Sequence, residues 1–444
     1  MRGLRLPSSY SDATVDLPMA KESTPPPNLH GINPISNSSI RFPGGRKLAL
    51  ILSAVVFVLV SSTYYPEQVF YGARQPTHTS QQKAIAGHED NEIDCNLFNG
   101  TWVRDLGGPI YTNMTCPTMP DSRNCAKYGK QMDYVNWRWK PQGCDMARFQ
   151  PQLFLNVVQG KTLAFAGDSI GRNQMESLLC LLSQVEAPTK VHNDTKDKFI
   201  TWNFRSYNFT LMALWTKFLV EDSQREINGT LVESHDMHLD KLDARLAANL
   251  HEIDILVVSS SRWFFRPNYL YEDGKLIGCI YCSEDNITSF SVISAIQRVF
   301  RTAISNLNSR RESRLQLTVV RTATPAHFEN GQWNTGGTCN RTEPVGEGTA
   351  MTSTIEREIR DVQVEEANRA QKEKKQKGGM NIGILDITKL MSMRPDAHPG
   401  IHWNNEWMRG YSDCSHWCLP GPIDMWNELL LAVLNKYKKN MEDQ

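Results

Sequence analysis

Hydrophobic and polar positions divide this chain into stretches of distinct texture. Residues 1–47 carry no apolar period and are rich in Ser, Pro and Asn, a composition that buries too little surface to offset chain entropy. They read as a disordered tail. Leu48 to Val60 is apolar all round and the run stays uncharged to Tyr65, close to the roughly 20 residues that cross a bilayer as a helix. Residues 66–94 turn polar again without a period, as a stem does. Residues 95–160 begin with Trp102, Trp137 and Trp139 among Gly, Pro and Asn turn signals, which predicts a loop-rich lobe. From residue 161 to the end, short apolar runs alternate with longer helical patterns, the signature of an α/β fold. The predicted strands are Thr162–Ala166, Ile253–Ser259, Leu315–Arg321 and Ile382–Ile387. Ile293, Ile296, Phe300, Ile304 and Leu307 recur at helical spacing, as do Ile423, Trp426, Leu430, Val433 and Tyr437, so each set predicts one amphipathic helix against the sheet. Glu356 to Lys377 is highly charged and helix-prone, and reads as a solvated helix or long surface excursion.

The apolar run at 48–65 has two other readings, a buried core helix and a cleaved signal peptide. A run apolar all round with no polar stripe belongs in lipid or a deep core, and a signal peptide would have a shorter leading segment and a clear small-residue cleavage site beyond Ser61 and Ser62. An uncleaved anchor fits better. Arg41, Arg46 and Lys47 flank it on the N-terminal side, so the positive-inside rule keeps the tail cytosolic and sends everything after Tyr65 across the membrane. Seven N-x-S/T sequons follow, at Asn99, Asn113, Asn193, Asn208, Asn228, Asn286 and Asn340, and all ten cysteines also lie beyond the anchor. Both suit a glycosylated domain in an oxidising lumen. Lys plus Arg and Asp plus Glu each total 48, so no global charge points to nucleic acid or an anionic membrane surface.

Two local constellations carry chemistry. Gly167-Asp168-Ser169 falls between a predicted strand and a helical segment, where a serine hydroxyl stands at the carboxyl end of the sheet and free backbone N–H groups can hold an oxyanion. An ordinary helix cap has the same look. Near the C-terminus, Asp413-Cys414-Ser415-His416 spaces a carboxylate and an imidazole so that the acid can fix the imidazole tautomer and leave Nε2 to take a proton. A metal-ligand or plain surface pair has that spacing too. Cys414 and Cys418 bracket the pair and would pin the loop if both are bridged. Zinc would need two further ligands at comparable spacing, a redox motif would need a βαβ start, and a tightly held nucleotide would need a glycine fingerprint; none of the three appears. Trp137, Trp139, Trp263, Trp333 and Trp403 are candidates for stacking on sugar faces, against the ordinary alternative of packing.

An early serine and a late Asp-x-x-His, with α/β units between, resemble the GDSL/SGNH esterases. More closely, the chain resembles the plant trichome birefringence-like family of Golgi polysaccharide O-acetyltransferases. The matching runs are CNLFNGTWVRD at Cys95, YVNWRWKPQGCD at Tyr134, FAGDSIGRNQMESLLCLL at Phe165, RTATPAHFENGQWNTGGTC at Arg321 and DCSHWCLPGPIDMWNELL at Asp413. WFFRP at Trp263 and GCIYC at Gly278 are similar to the altered-xyloglucan branch, which acetylates xyloglucan side chains or mannans.

The resemblance implies an SGNH-like α/β/α core with a parallel sheet, a disulfide-stapled N-terminal lobe, and a type II Golgi membrane protein whose catalytic domain is lumenal. It implies Ser169 as nucleophile, His416 as base and Asp413 as its orienting acid, with Arg172 and Asn173 as candidates for oxyanion or acetyl positioning and Asp168 in a structural role. Asp396 and His398 form a second acid-imidazole pair, expected to act as substrate contacts or supports, as is Trp263. Ser261-Arg262-Trp263 departs from the branch, which usually has a glycine and a glutamine or histidine before the tryptophan, and this bears on acceptor choice and activity. The implied bridges are Cys95 with Cys144, Cys116 with Cys180, and Cys125 and Cys339 with Cys414 and Cys418 in an order left open; Cys279 and Cys282 remain as a fifth pair. The expected reaction moves an acetyl group through an acetyl-serine to a wall polysaccharide, xyloglucan first and mannan next. It requires an acetyl donor, either acetyl-CoA or a group relayed by a membrane partner, and no metal. An acetyl esterase with the same triad and a non-catalytic polymer-binding protein are the rivals.

Overall fold

The short apolar runs become the centre of a seven-stranded sheet in the computed structural model, which describes residues 95–196, 198–309, 314–348, 354–377, 379–404 and 410–442. The expected tail, membrane anchor and stem lie outside the described residues, and among those described no helix is long and apolar enough to cross a membrane. The chain opens with an antiparallel ribbon, β1 (Gly100–Arg104) and β2 (Trp137–Pro141), followed by α1 (Pro151–Val157). Next come β3 (Thr162–Gly167), α2 (Ser169–Leu182), β4 (Thr189–Asn193), β5 (Phe199–Phe204) and β6 (Phe209–Trp215). After β7 (Val220–Ile227), β8 (Thr230–Leu242) and α3 (Ala244–Asn249) the chain returns to the sheet as β9 (Ile255–Ser259), then forms β10 (Asn268–Glu272) and β11 (Lys275–Ile280). The remaining elements are α4 (Val292–Ser309), β12 (Leu317–Arg321), α5 (Thr354–Lys377), β13 (Asn381–Leu385), α6 (Thr388–Ser392) and α7 (Asp424–Glu442).

The large sheet runs β13-β12-β9-β3-β6-β5-β4, parallel from β13 to β6 and antiparallel beyond. Side chains alternate across a strand, so a strand buried on both faces must be apolar at every position. That is why these runs lack a polar alternation. Leu163 and Phe165 of β3, with Ile255, Val257, Leu317 and Val319, join a core built on α2 and α7 through Leu178, Trp426 and Leu430. Ala164, Ala166, Leu256, Val258 and Val320 face the other way, onto Ile296, Phe300 and Ile304 of α4 and Ile359 and Ala367 of α5. The result is the α/β/α layering expected, but the sheet is mixed where a parallel one was expected, because β4, β5 and β6 follow one another through short connections and pair antiparallel.

One element departs from its reading. Helix α5 is not simply solvated: Ile359, Gln363, Glu366, Ala367 and Ala370 are buried at helical spacing. Its inward stripe contains Gln and Glu, which hides it from a hydropathy pattern. The buried Glu366 is offset by charge, since Arg301 donates to it from Nη2 at 2.6 Å and Arg369 from Nε at 2.7 Å.

A four-stranded sheet, β11-β10-β8-β7, was not foreseen. Its strands are largely polar, but both hairpins carry two-residue turns with left-handed backbone, Asn228-Gly229 (φ 52° and 79°) and Asp273-Gly274 (φ 49° and 74°). Asn-Gly and Asp-Gly suit such turns because their twist matches that of the strands. The sequon at Asn228 coincides with the first of these turns.

The N-terminal lobe shares a core with the sheet. Trp139 is fully buried, edge-on to Trp102 with centroids 5.7 Å apart, and Tyr111 and Tyr134 pack into the same cluster as α2 and α7. Cys95–Cys144, Cys116–Cys180 and Cys279–Cys282 pair as expected, and the open order resolves as Cys125–Cys418 and Cys339–Cys414.

Candidate active site

Strand β3 ends at Gly167, where a Cβ would lie 2.5 Å from the Ser259 carbonyl oxygen of β9, so only glycine allows the strands this approach. Asp168 then caps α2, its Oδ1 accepting from the Ile170 N–H at 3.0 Å. The cap makes Ser169 the first residue of α2, beside the first-turn N–H groups that have no partner inside a helix. Asp168 therefore has the structural place expected of it.

The second half of the site arrives on the loop before α7. Asp413 forms an isolated antiparallel bridge with Gly400, donating to its carbonyl at 2.8 Å and accepting from its N–H at 2.9 Å. Cys414 is tied to Cys339 and Cys418 to Cys125, so the loop is held at both ends. Ser169 Oγ stands 2.8 Å from His416 Nε2, and His416 Nδ1 stands 2.8 Å from Asp413 Oδ2 and 3.0 Å from Oδ1. Asp413 Oδ1 also accepts from the backbone N–H groups of Ser415 at 3.2 Å and His416 at 3.0 Å. Burial alone would raise the Asp413 pKa; the opposing charge of His416, their hydrogen bonds and the Arg123 guanidinium outweigh it and hold the acid well below the usual carboxylate range. An ionised Asp413 fixes the Nδ1–H tautomer of His416 and turns the Nε2 lone pair to the serine hydroxyl. The His416 side chain keeps 19% of its surface exposed against 5% for Asp413, so the imidazole is reachable while the carboxylate is not.

Several sequence candidates take other places. Asn173 is fully buried and does not stand free as an oxyanion donor: its Oδ1 accepts from the Trp417 N–H at 2.8 Å and its Nδ2 donates to the Trp417 carbonyl at 3.3 Å. It holds the loop that carries His416. Arg172 donates from Nε to Glu176 at 3.0 Å, and Glu176 in turn lies 4.0 Å from Arg123, whose Nη1 is 3.4 Å from Asp413 Oδ2. Asp396 and His398 do not form an acid-imidazole pair, because Asp396 is taken by Arg394 in a salt bridge with both side chains fully buried. His398 instead donates from Nδ1 to the His416 carbonyl at 2.6 Å and faces His327 Nδ1 with its Nε2 at 2.7 Å. Trp263, in the turn after β9, has Arg266 over its ring at 4.2 Å and Lys217 at 5.2 Å, and Trp215 meets it edge-on. Arg262 bonds the Thr324 carbonyl and lies 3.8 Å from Glu356. Trp139 is core, whereas Trp333 keeps 37% of its surface exposed. Asn113, Asn193, Asn208, Asn228, Asn286 and Asn340 are exposed; Asn99 is half-buried, with its amide between Gln142 and Lys389.

Arg123 and His327 were missed. Each lies far along the chain from the residue it touches; His327 falls inside the run RTATPAHFENGQWNTGGTC without a chemical partner at short spacing, and Arg123 lies between the matching runs. Among the described residues no group of three acidic, His or Cys side chains is placed to hold a metal ion. A cavity of about 70 Å³ between the N-terminal lobe and α7, and another of about 680 Å³ beside β5, β6 and α3, lie apart from the triad.

The model of the GDSL/SGNH-like acyl-esterase family found in Pmr5 and Cas1p matches residues 146–433. The chain belongs to this family. A PMR5 N-terminal domain matches residues 93–145 just before it. Arg123 and Cys125 come from that part, so the PMR5 N-terminal domain supplies both a charge and a covalent tie to the loop of the acyl-esterase part. Xyloglucan O-acetyltransferase 4 of Populus trichocarpa is 50% identical over 361 residues, 81% of this chain and 86% of that protein. Xyloglucan O-acetyltransferase 2 of Arabidopsis thaliana is 43% identical over 366 residues, 81% of this chain and 87% of its own length. Protein trichome birefringence-like 19 of Arabidopsis thaliana is 36% identical over 412 residues, 90% and 95% of the two chains.

Proposed function

We propose that this chain is a xyloglucan O-acetyltransferase that works by double displacement, anchored in the Golgi membrane by Leu48–Tyr65 with its active site in the lumen. His416 Nε2 takes the Ser169 hydroxyl proton as Oγ attacks the acetyl carbonyl of the donor, and returns it to the leaving group. An acetyl-serine remains. A hydroxyl of the polysaccharide then gives its proton to His416 while its oxygen attacks the acetyl carbon, and Ser169 recovers its hydrogen as the bond to Oγ breaks. First-turn N–H groups of α2 other than that of Ile170, which Asp168 Oδ1 holds, stabilise the oxyanion formed in each half. Asp413 stabilises the imidazolium that exists in both.

The observation that carries this reading is the continuous contact from Ser169 Oγ through His416 to Asp413, at 2.8 Å on each side of the ring. The names of the relatives supply the acceptor. Acetyl-CoA, or an acetyl group relayed through a membrane partner, is the donor in this scheme. The test is incubation with isotopically labelled acetyl donor and a panel of xyloglucan and mannan oligosaccharides. Acetylated xyloglucan fragments support the proposal; labelled acetate alone makes the protein an esterase, and acetylated mannan alone moves the acceptor.

A further inference from the structure

Two histidines stand behind the base, and their hydrogens can be counted. His398 Nδ1 lies 2.6 Å from the His416 carbonyl oxygen, which only accepts, so Nδ1 carries a hydrogen. His398 Nε2 lies 2.7 Å from His327 Nδ1, and these two nitrogens share one hydrogen. His327 Nε2 lies 3.2 Å from the Ser392 carbonyl oxygen, again an acceptor. Three contacts call for three ring hydrogens, while two neutral imidazoles carry two. A third would put a positive charge on a buried pair. Asp396 and Asp413 are the acids and Arg262 and Arg341 the cations that act on it from neighbouring segments, and both acids already have closer partners in Arg394 and His416. Burial pushes His327 down to about 4, and burial together with His327 holds His398 well below the usual imidazole value. The pair stays neutral, and the contact given up is the longest.

The hydrogens therefore run one way, from His327 Nδ1 to His398 Nε2 and from His398 Nδ1 to the His416 carbonyl. That carbonyl belongs to the same peptide group as the Trp417 N–H, which Asn173 Oδ1 holds at 2.8 Å from the other side. The His416–Trp417 peptide plane is gripped at both of its polar atoms. The His398 ring also lies against Trp417, centroids 4.1 Å apart, which keeps it from swinging out. We propose that His398 is a positioning residue that sets the direction of the His416 imidazole through its carbonyl, and that His327 braces the His398 ring by donating to its Nε2. This rests on the reading of His416 as the base.

The test uses the full chain. In ¹⁵N spectra of the wild type, His398 should carry its hydrogen on Nδ1, and in His327→Leu it should stay there, held by the His416 carbonyl, while the Nε2 resonance shifts as that nitrogen loses its donor. In transfer assays His398→Leu should lower kcat by about tenfold or more with KM within about twofold. His398→Asn, whose amide can donate from near the Nδ1 position, should recover kcat to within about threefold of wild type. His327→Leu should lower kcat by less than His398→Leu in the wild-type background and change nothing when added to His398→Asn. A wild-type His398 protonated on Nε2 overturns the proposal, as does full kcat in His398→Leu or an Asn variant no better than the Leu variant. If His398→Leu does not fold, the wild-type spectrum alone decides. That spectrum needs no activity, so it stands apart from the serine mechanism, which fails separately if Ser169→Ala still transfers acetyl.

Discussion

Replacing Asp413 by Asn removes one charge and changes few atoms, which makes it a sharp probe of the triad. The amide oxygen can still accept from the Ser415 and His416 N–H groups, as Oδ1 does at 3.2 and 3.0 Å, so the loop keeps its turn. The side chain no longer offsets the imidazolium that forms when Ser169 gives up its proton. Two unit charges about 4 Å apart interact by about 4 kcal/mol at an effective dielectric of about 20, which is about three decades in rate. An Asn NH₂ facing Nδ1 also favours the tautomer with hydrogen on Nε2, which cannot accept from serine. The same change in a serine protease triad costs about 10⁴-fold. We expect acetyl-enzyme formation to fall by about 10³- to 10⁴-fold near neutral pH, read by rapid quench and intact-mass spectrometry, with a circular-dichroism melt to show that the fold persists. A folded Asn variant within about tenfold of wild type would refute the charge argument.

Asn173→Ala should lower kcat by about tenfold and stability by about 1–3 kcal/mol, because the buried Trp417 N–H loses its acceptor; unchanged kcat in a folded variant would remove Asn173 from the support of His416. Asp424, pushed up to about 6 by burial, and Glu428, pushed up to about 7 by burial, make stability depend on pH. Their folded-state pKa values exceed the unfolded ones, so the folded protein binds more protons between about pH 4 and 7 and is stabilised as pH falls through that window, by up to a few kcal/mol. Asp413 has the opposite sign and costs stability only as pH falls below the ordinary carboxylate range. His327 and His398, held below the usual imidazole value, also have the opposite sign and lose stability as pH falls below about 6.5. From pH 7.5 to 5 the melting temperature of the wild type should therefore gain on that of Asp424→Asn/Glu428→Gln; parallel curves would contradict the assignment. Cys125→Ser/Cys418→Ser should lose about 2–5 kcal/mol in denaturant unfolding and reduce kcat more than KM, since this bridge anchors the loop carrying His416 across 293 residues of sequence.

What the sequence made legible was what is local. Gly167-Asp168-Ser169 is one turn and Asp413 to His416 another, so each half of the triad could be read from its own spacing, while their meeting followed from resemblance. Four strands of the large sheet, β3, β9, β12 and the edge strand β13, were visible as mainly apolar runs, because a strand covered on both faces has little room for polar side chains. The second sheet was not, because β7 exposes polar side chains and β8 carries polar residues such as Ser234 and His235 even at buried positions, and its signal sat in the two hairpin turns at Asn228-Gly229 and Asp273-Gly274. Support of the site was the least legible part. Arg123 reaches Asp413 across 290 residues and His327 reaches His398 across 71, and such partners leave no periodicity. Asn173 was noticed for its nearness to Ser169, whereas its amide is spent on Trp417, 244 residues away.

The central claim is that the Ser169 oxygen carries the acetyl group between donor and polysaccharide. Stopping the reaction before acceptor is added, digesting the protein and mapping the added mass tests it most directly. The account predicts one acetyl on Ser169 in the wild type, none in Ser169→Ala, and its disappearance into acetylated oligosaccharide when xyloglucan fragments are supplied. Transfer by Ser169→Ala at the wild-type rate, or an acetyl on Ser169 that no acceptor removes, would contradict it.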